Sequence, residues 1–149
     1  MDYKDKIIGI ASDHAGYKLK EFIIAYLEME GYNVVNFGTN SEASCDYPDY
    51  AHPLASDIND GKLERGITIC GSGNGISMVV NKYPNVRAGL CWNPEISHLA
   101  RAHNNANICS IPARYVTNED ALNILNEFFS TPFEGGRHSD RVKKIPISK

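Results

Sequence analysis

The stretch Gly66-Ile-Thr-Ile-Cys-Gly-Ser-Gly-Asn-Gly-Ile-Ser-Met-Val-Val80 decides how the chain folds. An apolar run ends at Cys70, a glycine turn covers 71–75, and a second apolar run begins at Ile76. That order predicts a strand, a tight turn and a helix. Glycines at 71, 73 and 75 let backbone N–H groups converge on one point, at the positive end of a helix dipole. A cysteine at the strand end sits beside that anion trap, where a thiolate would be favoured. An anion hole with a base beside it points to chemistry on a negatively charged intermediate. The turn lacks the spacing of a dinucleotide fingerprint and the Lys-Ser/Thr ending of a phosphate-binding P-loop. Taken alone, it reads equally as a structural turn.

Working outward, strand and helix signals alternate along the whole chain. Lys6–Ala11 reads as the first strand and Asn33–Phe37 as the second, with a helix between them from Tyr17 to Glu30. On that helix Leu19, Phe22, Ile23, Tyr26 and Leu27 share one face, and Gly31 stops it. A polar loop over 38–48 leads into a helix ending near Asn59. Ile67–Cys70 is the third strand, Val86–Cys91 the fourth and Asn107–Ile111 the fifth. A helix from Pro94 to about Asn104 separates the last two. Thr117-Asn-Glu-Asp120 resembles a capping box that opens a helix to about Phe129. This alternation predicts one α/β domain over residues 1–149, doubly wound and Rossmann-like, with a five-stranded parallel sheet. Residues 131–149 carry glycine, proline and charge but little core, and read as a C-terminal arm reaching a neighbouring subunit.

Right-handed crossovers would put every strand's carboxyl end on one edge, where ligands of such sheets bind. Ser12-Asp-His14, Cys70–Gly75, Trp92-Asn93 and Pro112–Arg114 then face one crevice. The composition excludes other classes. With 149 residues, 42% hydrophobic and 22% charged, the chain suits a single globular domain. A net charge of −3 gives no nucleic-acid footprint. No signal-peptide pattern and no long apolar run appear, so a soluble cytoplasmic protein without membrane contact is expected. The cysteines at 45, 70, 91 and 109 form no C-x-x-C pair, and Cys91 and Cys109 read as buried free thiols.

Individual residues carry two readings each. Asp13 either caps the helix that follows or holds sugar hydroxyls, and His14 is either a spectator or an anion contact. Ser72 puts a hydroxyl next to the thiol of Cys70, and hydrogen bonding to a thiolate favours it. His103, at a helix C-terminus, is a dipole partner or a proton-transfer group. Arg137 and Arg141 lie four apart, on one face if the tail is helical, and are a solvated basic face or a phosphate fork. Arg114 could add a cation from the sheet edge. No histidine pair at helical spacing accompanies carboxylates, so neither a metal nor another cofactor is expected.

Ser12-Asp-His-Ala-Gly16, Asp46-Tyr-Pro-Asp-Tyr50, Cys70–Gly75, Asn81-Lys82, Arg101-Ala-His-Asn-Asn105, Arg114 and Gly135-Gly-Arg-His138 with Arg141 occur in order along nearly the whole chain. Together they resemble the ribose-5-phosphate isomerase type B family. The resemblance implies a homodimer, or a tetramer built from it, with active sites at the subunit interface, no metal, and a place in the pentose phosphate pathway. It implies Cys70 as general base and His103 as the residue assisting sugar ring opening. Ser72 stands where many relatives carry threonine, which keeps the thiol-activating hydroxyl. Asp13, His14, Tyr47, Gly71, Ser72, Gly73, Asn74, Gly75, Asn104, Arg114, Arg137 and Arg141 match substrate-binding positions, the last two reaching the neighbouring subunit's site. One branch of the family uses a glutamate directly after the glycine loop as base. Here Ile76 follows the loop and Cys70 precedes it, the pattern of the cysteine branch.

The expected reaction is interconversion of ribose 5-phosphate and ribulose 5-phosphate through a cis-enediolate. Allose 6-phosphate and galactose 6-phosphate are the six-carbon alternatives. A non-catalytic sugar-phosphate-binding protein is the alternative of another class, and the presence of both Cys70 and His103 speaks against it.

Overall fold

The computed structural model describes residues 7–148, so Lys6 of the expected first strand and Lys149 at the end of the arm lie outside the described residues. In chain order come β1 (Ile7–Ser12), a 3-10 turn (His14–Gly16), α1 (Tyr17–Met29), β2 (Asn33–Asn36) and α2 (Tyr47–Asn59). β3 (Arg65–Cys70), α3 (Asn74–Val80), β4 (Ala88–Leu90), α4 (Pro94–Ala102) and β5 (Ile108–Pro112) follow. A second 3-10 turn (Ala113–Tyr115), α5 (Asn118–Ser130) and α6 (Arg137–Lys143) complete the chain. The strands pair in parallel, as the alternating pattern predicts, and lie in the order β2-β1-β3-β5-β4.

Parallel strands need helical crossovers, and these bury both faces of the sheet. One face is covered by α1, α4 and α5, through Leu19, Ile23, Leu27, Ala100, Ile124 and Phe128. The other packs α2 and α3, through Leu54, Ile58, Ile76 and Val80. Phe22 was expected in the α1 stripe but is 37% exposed, because the buried line runs through Leu19, Ile23 and Leu27 at four-residue steps. Lys20 is fully buried instead. Its ammonium donates to Glu21 Oε1 at 2.8 Å and Asn36 Oδ1 at 3.0 Å, so the charge is paired where it is desolvated.

Local chemistry sets the element ends. The Thr117 hydroxyl accepts from Asp120 N–H and the Asp120 carboxylate accepts from Thr117 N–H, both at 3.0 Å, which is the capping box the sequence announces. β4 is shorter than expected. Val86 N–H donates to Tyr83 O, and Arg87 N–H donates to Asn107 Oδ1, so these residues belong to the turn rather than the ladder. Cys91 and Cys109 are buried and free, and burial pushes the Cys109 thiol well up, which keeps it neutral.

Two features of this topology position the chemistry. The chain leaves β1 toward β2 on one side and returns to β3 on the other, so a crevice opens beyond the carboxyl ends of β1 and β3. Each crossover helix also carries the chain back from the carboxyl edge to the amino edge. α4 therefore ends at the amino edge, beside the start of β5.

Candidate active site

A cleft of about 650 Å³ lies at the carboxyl edge, lined by Asp13, His14, Cys45, Tyr47, Gly71 and Arg114 among others. Each wall has a local cause. Asp13 ends the exit from β1, and its Oδ1 accepts from Gly16 N–H at 3.1 Å. It therefore caps the turn and faces the cleft at once. His14 follows, with its Nδ1 accepting from Cys45 N–H at 3.2 Å. That bond fixes the tautomer: Nδ1 is the acceptor, so Nε2 carries the hydrogen and donates outward.

Cys70 closes β3 and is 5% exposed. The glycine loop behind it is shaped by its neighbours. Gly73 has φ +76, a left-handed conformation that a side chain would strain. A Cβ on Gly75 would lie 2.5 Å from the Tyr47 ring, so glycine here lets Tyr47 pack onto the loop. Arg114 N–H donates to Gly71 O at 3.0 Å, and its guanidinium lies across Gly71.

One expectation at this edge changes, that for Trp92, and Ser72 gains a structural contact. The Ser72 hydroxyl accepts from Asn74 N–H at 3.2 Å and so braces the turn. Trp92 lies outside the main cleft, in a separate shallow pocket with Ser72, Asn74, Leu90, Pro112 and Tyr115. β4 is the outermost strand, which carries its exit segment past the far side of the glycine loop.

The remaining expected residues gather elsewhere. His103 caps α4 at the amino edge, with exposed Asn104 next to it. Glu134 N–H donates to Ala102 O at 2.9 Å and docks the arm against this helix end. The arm forms α6, so Arg137 and Arg141 do lie one helical turn apart, with Arg141 Nη1 donating to Arg137 O at 3.0 Å. His138 of the same helix stacks on His103, ring centroids 4.2 Å apart and planes 12° apart. Glu134 Oε1 lies 3.6 Å from His138 Nε2 and 3.9 Å from His103 Nε2.

Cys70 and His103 are therefore at opposite edges of the sheet within one copy of the chain. Arg65, the first residue of β3, donates to Ala106 O at 3.2 Å beside the His103 turn, whereas Cys70 is the last residue of that strand. Five residue steps at roughly 3.3 Å each put about 16 Å between the two ends. The sequence announces the residues of both clusters but not their separation. It also gives no signal for Glu134 or for the Cys45 N–H that orients His14, because both act through tertiary contact.

A family profile described as Ribose/Galactose Isomerase matches residues 8–145. The chain is 39% identical to ribose-5-phosphate isomerase B of Escherichia coli over 140 residues, covering 94% of each chain. It is similar to the crystal structure of a ribose 5-phosphate isomerase from Thermotoga maritima, with TM-score 0.93, 47% identity and coverage of 95% of this chain and 97% of that one. It is also similar to ribose-5-phosphate isomerase B from Mycoplasma genitalium with bound ribulose-5-phosphate, with TM-score 0.89, 40% identity and 93% of each chain covered.

Proposed function

The chain belongs to the ribose/galactose isomerase family, and from that premise we infer that it interconverts ribose 5-phosphate and ribulose 5-phosphate. The observation that carries this is its near full-length likeness to a relative holding the ketose itself. The rest follows from the chain's own residues. Cys70 takes the proton from C2 of the open-chain aldose, the electron pair moves to give a cis-enediolate, and Cys70 returns the proton to C1 as the O2 proton passes to O1. Loop N–H groups over 71–75 bear the charge that develops on oxygen, where losing one such donor costs roughly 3–4 kcal/mol. His14 donates from Nε2 to the substrate, Asp13 accepts from sugar hydroxyls, and Arg114 adds positive charge beside Gly71.

Ring opening has to come first for ribose 5-phosphate, which closes into a furanose. We assign it to His103, with Arg137 and Arg141 forking the phosphate and Asn104 beside them. Since one copy separates these residues from Cys70, the site we propose is shared: the partner's His103, Arg137 and Arg141 complete the crevice of the first copy. Exposed Trp92 and Tyr115, at 53% and 76%, share a pocket with Ser72 and Asn74 of the glycine loop, an apolar surface that suits coverage by a second subunit. A homodimer is the smallest assembly that meets this need. No helix among the described residues is long and apolar enough to cross a membrane. A charged sugar phosphate is retained inside cells, which supports a cytoplasmic setting.

The test is turnover by the purified chain in heavy water. Ribulose 5-phosphate should form from ribose 5-phosphate with solvent deuterium at C1. Complete retention of the substrate hydrogen would replace proton transfer by a hydride shift. Faster turnover of allose 6-phosphate or galactose 6-phosphate would move the substrate to the six-carbon series.

A further inference from the structure

His138 is used by neither proton transfer nor phosphate binding, yet it is only 14% exposed while lying on a helix with no buried residue. Its ring covers His103 almost in parallel, at 4.2 Å and 12°. Glu134, from the segment before α6, faces the Nε2 atoms of both rings at ion-pair range, 3.6 and 3.9 Å. Three elements therefore converge on one imidazole: the end of α4, the 131–136 segment and α6. We propose that His138 and Glu134 are positioning residues that fix the orientation of His103 for ring opening. This rests on the assignment of ring opening to His103.

The physical case has three parts. His103 sits at a helix C-cap with 38% of its side chain exposed, so nothing in α4 itself holds its ring. An off-line imidazole is a poor proton shuttle, since a misplacement of about 1 Å can cost roughly a hundredfold. A parallel aromatic plate on one side and a carboxylate at Nε2 remove that freedom.

The groups facing His138 explain its chemistry. Loss of hydration first, then the charges of His103, Arg137 and Arg141, hold its imidazole below the ordinary histidine value, against the opposing pull of Glu134. These groups disfavour a positive charge on the ring that covers His103. The same three side chains bring ligand atoms within 4.8 Å of one another. Because the two rings are nearly parallel, their in-plane lone pairs run side by side rather than converging on one point. That geometry suits a stacked support better than a metal ion.

The experiment uses a difference between the two sugars. Ribulose 5-phosphate has its O5 esterified and stays open-chain, so exchange of its C1 hydrogen with solvent needs Cys70 but no ring opening. His138→Ala should lower kcat for ribose 5-phosphate by about 10- to 100-fold, with solvent exchange into ribulose 5-phosphate kept within about twofold. His138→Phe, which keeps the plate without the nitrogens, should restore most of that kcat. Glu134→Gln should lower turnover selectively in the same way as His138→Ala. Equal loss of turnover and exchange in His138→Ala, no loss at all, or a Phe variant as poor as Ala each overturns the positioning role. His103→Ala is the reference. If it also loses both rates equally, the ring-opening assignment itself falls; if it separates them and His138→Ala does not, only the positioning role falls.

Discussion

Cys70→Ala should lower kcat for ribose 5-phosphate by about 10²- to 10⁴-fold, the range for losing a positioned proton-transfer group, and leave the fold in place. The residue is 5% exposed and packs with Ile76, Val80 and Ala11 on the α2–α3 side of the sheet. Removing one sulfur there leaves a small void, and a loss of about 1 kcal/mol is the usual scale for such a change. The strand end, the Gly73 turn and the Arg114 contact across Gly71 involve backbone and other side chains, so the loop conformation should survive. The same variant should stop solvent exchange into ribulose 5-phosphate, because both reactions need the same base. Initial rates together with a thermal unfolding curve decide it. Parental turnover from a folded variant would remove Cys70 from the mechanism.

The second large effect is a recovery. Cys70→Ala and His103→Ala are each nearly inactive alone, but co-expressed with separate tags they should regain activity. With free exchange, half the dimers are mixed. Each mixed dimer holds one site with both native residues and one with neither, so about a quarter of the parental activity per chain returns. Two clusters acting in separate reactions, or a site contained in one copy, would give no recovery. The expectation comes directly from the path of α4, which carries the chain from the carboxyl edge back to the amino edge before His103 appears.

The alternation of strands and helices was legible because glycine turns, caps and apolar runs are local signals. Thr117 and Asp120 form their reciprocal cap as the spacing foretells. The strand order β2-β1-β3-β5-β4 was not legible, since it depends on how the crossovers pack rather than on any short segment. In the site, Cys70, Gly71, Asp13, His14, Tyr47 and Arg114 were named from motifs, and Asp13, His14, Tyr47, Gly71 and Arg114 line one cleft. The opposite placement of His103 follows from helix direction, which the motif list hides because it records residues and not edges. Ser72 illustrates a different limit. Its position beside Cys70 in sequence suggests a bond to the thiol, and the structure adds a bond the spacing did not announce, from the N–H of Asn74 to the hydroxyl oxygen. Asn and Ser side chains in tight turns commonly bond their own backbone first. Glu134 meets His103 through the return of the arm, a contact that no spacing rule anticipates.

One consequence concerns chemical labelling. Of the four cysteines, Cys70 is 5% exposed and Cys91 and Cys109 are fully buried, whereas Cys45 is half-buried, lines the cleft, and has its sulfur 3.9 Å from His14 Nδ1. An alkylating reagent therefore meets an accessible thiol at Cys45, whereas burial shields Cys70. The adduct would occupy part of the cleft and crowd the Cys45 N–H that orients His14. Inactivation by such a reagent, and protection by substrate, would then report occupancy of the cleft beside Cys45. In this protein thiol modification would test Cys70 as the base only in a background where residue 45 carries no sulfur.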